Sequence, residues 1–397
     1  MARSLNYRKE IIMPRIHFTG CCLIDYIYDS VSFASGDFIP FLSQANDDGG
    51  IVPGKLVFAD AFEAFAGISA EQAVGRIGVS FGAPRKNLGG PAAVAAVHAA
   101  QVLNGEGWTV HFFGGRGGDE AGHSIGSFFR STPIKYDDSV LPGDTPVTWV
   151  FSDPSWDEGR GERAFLGKAG MAAAYAPSML GSGFFDADIH AYGGTALVPG
   201  IHGELSRLLK TGKDKGSLQV VHTVYDFYSQ RRDPRARWPM GDGDGAYRHI
   251  DLLITDREEA RRFSGMDDPG RAIEFFLGKG TGAVIITDGS KDLSFASAGG
   301  RFKPLAITTS AVSREVSRLR KEDAGRLGDT TGCGDNFAGG VIAGLALQLK
   351  SGEELLDLQA AVPHGIAAGG FACTCIGGPW FETRSGEKKE LLKPFYN

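Results

Sequence analysis

The sequence predicts an α/β protein, with a doubly wound, mostly parallel sheet flanked by helices and a small β lid. Three observations carry that prediction. Short apolar runs alternate with helical patterns through most of the chain, roughly eight β/α units, as a parallel sheet requires. Two separated stretches, about 26–60 and 140–170, carry strand patterns that supply the lid. A glycine-rich turn, Gly328-Asp329-Thr330-Thr331-Gly332-Cys333-Gly334-Asp335-Asn336-Phe337, opens straight into a helix.

That helix is marked by Phe337, Val341, Leu345 and Leu349, which recur every four residues. Gly339, Gly340 and Gly344 interrupt it at a cost in propensity, so it is expected to be buried and tightly packed. Gly332 and Gly334 permit close approaches and turn angles that a side chain would block. A glycine turn at a helix N-terminus presents free N–H groups and a positive dipole end, an anion site. Asp335, in the first turn, would repel a bound phosphate unless it serves as a base facing a hydroxyl. Together the two features suggest phosphoryl transfer, in which N–H groups stabilise charge on the moving group and Asp335 takes a proton. Short motifs of this kind also occur as plain capped helices, in which Asp335 would only complement the dipole.

Composition sets the frame. At 397 residues, the chain is 42% hydrophobic and 22% charged, the balance of a soluble globular protein. Net charge is −6 with no sustained basic stripe, which argues against nucleic acid as a partner. No apolar run has the length of a membrane helix. Arg3, Arg8 and Lys9 precede an apolar segment broken by Pro14 and Arg15, too short for a signal peptide. The five cysteines lack zinc spacing and read as reduced thiols of a cytoplasmic protein. Cys373 and Cys375 admit a redox reading and are taken as small buried residues.

In chain order, 1–14 reads as a loose leader and 16–24 (IHFTGCCLI) as one buried strand ending at Asp25, where open α/β sheets bind ligands. Residues 26–33 suit a lid strand, 44–54 a loop and 58–65 a short helix. Asn87-Leu88-Gly89-Gly90-Pro91 is a loop opening an alanine-rich helix to Val102. Strands follow at 108–113, 146–151, 162–165, 187–192, 218–225, 250–254 and 282–286. Arg163, on the returning lid strand, is open to substrate or to solvent. Residues 203–210 and 314–326 suit helices, the second an exposed insertion. The basic run 231–237 reads as a solvated loop. Residues 355–375 are mostly helical, kinked at Pro363, with His364 either packed or close to a bound base. No dinucleotide fingerprint or Walker-type phosphate loop occurs.

The run Asp329–Asp335 resembles the D-T-x-G-A-G-D signature of the ribokinase-like, phosphofructokinase-B type carbohydrate kinases, with Cys333 where alanine is usual. The resemblance spans about 15–380, leaves 1–14 and 381–397 as terminal extensions, and does not account for 38–86 and 305–327. It implies Asp335 as catalytic base and the backbone of Gly332, Cys333 and Gly334 as anion hole, a setting in which a cysteine matters little. Gly20-x-x-x-x-Asp25 is similar to the family's first strand, which implies that Asp25 holds substrate hydroxyls. Gly89 and Gly90 match its G-G-x-x-x-N and imply substrate contact, but Val94 stands at the asparagine. Run 114–122 resembles a G-x-x-G-x-D-x-x-G junction and reads as structural. Asp256 and Glu259 stand where the family has N-x-x-E, near metal and phosphates. Three apart on one helix face, they are suited to holding water on Mg²⁺, with Glu259 the metal-side residue. Thr287-Asp288-Gly289-Ser290 is similar to its T-x-G-x-x-G loop, except that Asp292 replaces the last glycine. Thr287, Gly289 and Thr330 are thereby implied on the nucleotide side.

The resemblance therefore implies an ATP-dependent kinase that uses Mg²⁺ and phosphorylates a hydroxyl of a sugar or sugar-like substrate. An adenosine-like nucleoside kinase is the alternative, suggested by the long segment between Asp25 and Gly89. A non-catalytic nucleotide- or sugar-binding protein of the same fold is the alternative of another class, motivated by Val94 and Asp256. Lid strands with open edges allow a homodimer.

Overall fold

The computed structural model describes residues 13–45, 48–137, 139–159, 161–323, 325 and 327–396. Most of the expected leader 1–14, part of the loop 44–54 and the end of the insertion 314–326 lie outside them. A nine-stranded sheet forms the body, in the order Leu305–Ser310, Lys291–Ser297, Ala283–Asp288, Leu252–Asp256, Leu218–His222, Ile189–Gly193, Arg15–Gly20, Thr109–Phe113 and Lys135–Tyr136. Pairing is parallel from Lys135–Tyr136 through Ala283–Asp288 and antiparallel at the far edge. Arg15–Gly20 lies between strands reached by opposite crossovers, the point where such sheets open a ligand crevice.

The expected single strand over 16–24 is two strands. Arg15–Gly20 ends at Gly20, whose φ of 133° and lack of Cβ let it pass Gly193, where a Cβ would fall 1.9 Å from the carbonyl oxygen. After Cys21 and Cys22 the chain enters a second sheet as Leu23–Tyr28. Asp25 therefore lies inside a lid strand, not at the end of a body strand. A hydrophobic run cannot show that break, because both halves are buried in different sheets.

The lid sheet has the order Leu56–Phe58, Glu162–Lys168, Val147–Asp153, Leu23–Tyr28, Arg85–Gly89. The last strand, antiparallel to Leu23–Tyr28, falls outside both segments expected for the lid and takes in the start of the expected loop 87–91. Its polar start, Arg85-Lys86-Asn87, hides it, since an edge strand has no need of an apolar run. The unexplained stretch 38–86 forms helices Ala59–Ala66 and Ala70–Phe81, the latter opened by a Ser69–Gln72 capping box.

Helix Pro91–Leu103 is buried along its whole length. It packs on the central strands and against helix Cys333–Lys350, which in turn packs on helix Leu358–Ala372. Small residues make this possible. A Cβ on Gly339 would fall 2.6 Å from the Ala95 carbonyl oxygen, and one on Gly340 would fall 2.4 Å from that of His364. Pro363 stands within Leu358–Ala372, which continues through it. His364 is a packing residue, its Nδ1 2.9 Å from the Tyr396 hydroxyl. The chain after 380 is no loose extension, since Lys388 is fully buried and donates to Gln101 at 2.9 Å. No helix among the described residues is long and apolar enough to cross a membrane.

The Gly339 contact has a measurable consequence. Gly339→Ala presses a methyl against backbone that cannot rotate away and should destabilise the protein by about 1–3 kcal/mol. Gly334→Ala, where a Cβ meets nothing within 4 Å, should not. Urea unfolding of the two variants compares them.

Candidate active site

The turn before helix Cys333–Lys350 is held from one side by the segment 373–379. Gly328 N–H donates to the Cys373 carbonyl and Asp329 N–H to that of Cys375, each at 2.9 Å. The Asp329 carboxylate accepts from Thr331 N–H at 2.9 Å and faces Gly377 N–H at 3.4 Å. Asn336 donates through its amide to the carbonyls of Gly332 and Gly378 at 2.9 Å. Asn87, from the lid edge strand, reaches the carbonyls of Ile376 and Pro379 at 3.4 and 3.3 Å. Sequence reasoning missed Asn87 and the 373–379 wall, because their signal is only long-range pairing.

Gly332 is the N-cap at φ 72°, and no side chain caps the helix. Cys333 N–H turns inward to the Thr330 carbonyl at 3.3 Å. The first-turn donors of Gly334 and Asp335 are left uncapped, the condition for binding an anion. Gly334 is exposed and Asp335 partly so.

Across the cleft, Asp25 is 7% exposed. A Cβ on Gly89 would fall 2.3 Å from its Oδ2, and one on Gly90, at φ 90°, would fall 2.6 Å from the Cys21 carbonyl oxygen. Three of the four expected substrate-side residues, Asp25, Gly89 and Gly90, are thus packed together, and both glycines are sterically required, whereas the fourth, Arg163, is turned to Thr330 and Thr331. Burial, then the charges of Asp329 and Asp335, push the Asp25 carboxyl up to about 7. Burial alone lifts Asp335 to about 7.

Val94, at the position of the family's asparagine, is 1% exposed and lies under Gly378, whose Cβ would fall 2.6 Å from its Cγ2. It does not face the cleft in this conformation.

Asp256 and Glu259 form a reciprocal capping box at the start of helix Arg257–Ser264. Glu259 is buried, and its carboxyl is pushed to about 8 by burial and by Asp256, against the pull of the Thr223 hydroxyl that donates to it. Asp335 adds to that upward push, so the two carboxylates share one electrostatic field. Asp256 is in register with Thr287 on the next strand. Gly289, at φ 57°, forms the exposed turn beyond. Among the described residues no group of His, Cys, Asp or Glu is close enough to ligate a metal directly. A buried Glu259 beside an exposed Asp256 fits a hydrated divalent cation, held through water.

The lid is closed over this site. Arg163 donates to Thr331 Oγ1 and, at 2.7 Å, to Thr330 Oγ1. It lies on the anion side of the cleft. Thr330 is thus tied to the lid arginine. On the other flank Phe58 stacks on Tyr228 with centroids 5.5 Å apart, and Arg231 pairs with Asp60 at 2.9 Å.

Residues 76–379 match the pfkB family carbohydrate kinases. The chain belongs to that family. Membership supports a sugar or nucleoside kinase. No curated protein matches the sequence. Solved structures with the same fold include the adenosine kinase of Sinorhizobium meliloti, at 17% identity and a TM-score of 0.68 over 95% of this chain and 98% of that one. The adenosine kinase of Schistosoma mansoni, in complex with 2-fluoroadenosine, is 15% identical with a TM-score of 0.69 over 92% and 97%. An E. coli protein assigned as ribokinase II, in complex with ATP and Mg²⁺, is 15% identical with a TM-score of 0.62 over 96% and 99%.

The raised carboxyl at Asp335 predicts a pH-dependent stability cost. The unfolded group ionises near 3.8 and the native one near 7. The native state thus holds the extra proton between those values, and stability is lost as pH rises through that window. Asp335→Asn should stabilise little near pH 4, increasingly up to pH 7, and then by a constant amount. After discount for partial exposure that gain is on the order of 2 kcal/mol. Melting curves of both proteins from pH 4 to 8 test this without reference to activity.

Proposed function

We propose that the protein is an ATP-dependent kinase that transfers the γ-phosphoryl group to a hydroxyl of a sugar or sugar-like substrate. The observation that carries this is Asp335, a carboxyl with a raised affinity for protons, set one residue past an uncapped glycine turn and facing Asp25. A base poised near neutral pH and an anion site are thereby adjacent, as phosphoryl transfer to a hydroxyl requires.

Asp25 accepts hydrogen bonds from substrate hydroxyls, with Gly89 and Gly90 giving it room. Asp335 withdraws the proton of the attacking hydroxyl. The uncapped N–H groups of Gly334 and Asp335 receive the transferring group, and charge grows there as the reaction proceeds, whereas the expected Cys333 N–H is taken up by the Thr330 carbonyl. Arg163 lies over the same turn and supplies a positive charge that a closed lid brings in and an open lid removes. Asp256 and Glu259 would hold hydrated Mg²⁺, with Thr287, Gly289 and Thr330 toward the nucleotide. The metal, when bound, neutralises phosphate charge and orients the γ-phosphoryl group. Closure excludes water, so the substrate and not water accepts the phosphoryl group.

A nucleoside acceptor is the second reading. It is favoured by the helices Ala59–Ala66 and Ala70–Phe81, which enlarge the lid side, and by the aromatic pair Phe58 and Tyr228 at the cleft's flank.

The deciding assay is ATP consumption with Mg²⁺ against pentoses, hexoses, ketoses and nucleosides. Substrate-dependent turnover is expected, with kcat/KM rising with pH through about 7 as Asp335 ionises. Asp335→Asn should lower kcat by roughly 10²–10⁴-fold. Equal turnover in that variant would remove Asp335 as the base. Arg163→Ala should lower kcat while leaving the urea midpoint near that of the parent. An unchanged kcat would show that its contacts with Thr330 and Thr331 serve only to seat the lid.

A further inference from the structure

Cys333 and Cys373 place their sulfurs 3.4 Å apart. Cys333 is the first residue of helix Cys333–Lys350, inside the anion turn, and Cys373 is the C-cap of helix Leu358–Ala372. Both are partly accessible. The other three cysteines have no such apposition. Cys21 and Cys22 are buried within the fold, and Cys375 turns its sulfur to the Phe371 carbonyl at 3.7 Å. Alanine is usual at position 333 in the signature, and an alanine there would leave Cys373 without its partner.

We propose that Cys333 and Cys373 are a site of reversible oxidation, whose disulfide takes the anion turn out of its working shape. Cys373 is the attacking sulfur. The contact with the Cys333 sulfur and the nearby Arg320 draw its thiol down against the opposing effect of burial, and it also lies 3.4 Å from the Gly369 carbonyl. Thiolate character is what a hydroperoxide reacts with. The Cys373 sulfur attacks one peroxide oxygen, so that an S–O bond forms, the O–O bond breaks, and water leaves once the departing oxygen is protonated. Sulfur gives up two electrons and the peroxide takes them. The Cys333 sulfur then attacks the Cys373 sulfur, an S–S bond forms, the S–O bond breaks, and a second water leaves with the Cys333 proton. Two thiols and one hydrogen peroxide become one disulfide and two waters, and a dithiol reverses the change.

An S–S bond of about 2.0 Å draws the sulfurs together by roughly 1.4 Å. Cys333 lies between the turn residues Thr330–Gly332 and the uncapped donors of Gly334 and Asp335, so movement of its sulfur toward Cys373 is carried to those donors and to the Arg163 contact with Thr330 and Thr331. The loss of turnover rests on the kinase reading above, whereas the bond itself does not.

The test treats the whole protein with hydrogen peroxide, blocks free thiols, and maps peptides without reduction by mass spectrometry. The expected product links the peptide holding Cys333 to the one holding Cys373 and disappears with dithiothreitol. Turnover should fall by roughly 10²-fold, as for the loss of one oxyanion donor, affinity for a fluorescent ATP analogue should fall with it, and both should return on reduction. Cys373→Ser and Cys373→Ala should keep basal turnover and resist peroxide. Absence of the linked peptide, with both thiols free or singly oxidised, would overturn the site. Equal peroxide sensitivity in wild type and both Cys373 variants would overturn its effect. A protein that turns over none of the substrates still decides the site through the peptide map and the effect through analogue binding.

Discussion

Helix Cys333–Lys350 lies close between its two neighbours because the residues at the points of nearest backbone approach carry no side chain. Gly339 meets the backbone of Pro91–Leu103, and Gly340 and Gly344 meet the backbone and ring of His364 on the other helix. The position of the anion turn follows from this contact, since the turn is the first residues of that helix. The same packing brings Asn336 under the turn, where its amide joins the turn to the 373–379 wall. A glycine face that lowers helix propensity is thus exchanged for a fixed placement of backbone donors.

Charge at the site runs against stability. Asp25, Glu259 and Asp335 are gathered in one cleft, each with its carboxyl raised toward or above neutrality by burial, and among the described residues no basic side chain pairs with them. Near neutral pH the native state carries a cost that an uncharged set would avoid. Such groups are the common signature of functional sites rather than of structural ion pairs. The exposed pairs elsewhere, such as Arg318 with Glu315 and Glu322, are the ordinary surface kind worth little to folding.

The lid and body share a hydrophobic core, in which Ile24, Leu88 and Trp149 of the lid join Ile16, Phe18 and Phe337 of the body. At the cleft they also meet through polar and aromatic contacts. Arg163 joins the glycine turn through threonine hydroxyls, Asn87 reaches the carbonyls of Ile376 and Pro379, and Phe58 and Asp60 meet Tyr228 and Arg231 through stacking and an ion pair. Contacts made by hydroxyls and exposed charges are exchanged for water at small net cost, so the shared core, more than these contacts, holds the two sheets together.

The sequence alone determined the α/β alternation, the buried glycine-faced helix, and the glycine turn that opens it with Asp335 in its first turn. These features are local, because periodicity and glycine placement are written over a few residues. It also carried Asp25 with Gly89 and Gly90, and Asp256 with Glu259, by resemblance and spacing. Only the tertiary structure decided that the run 16–24 divides between two sheets, since burial reads the same in either. Only it showed that the polar segment Arg85–Gly89 is a lid edge, that Arg163 points to the turn, and that Val94 is covered by Gly378. The apposition of Cys333 with Cys373 belongs to the same group. Forty positions separate them in the chain, and their 3.4 Å contact exists because two helices pack closely enough to bring a start and an end together.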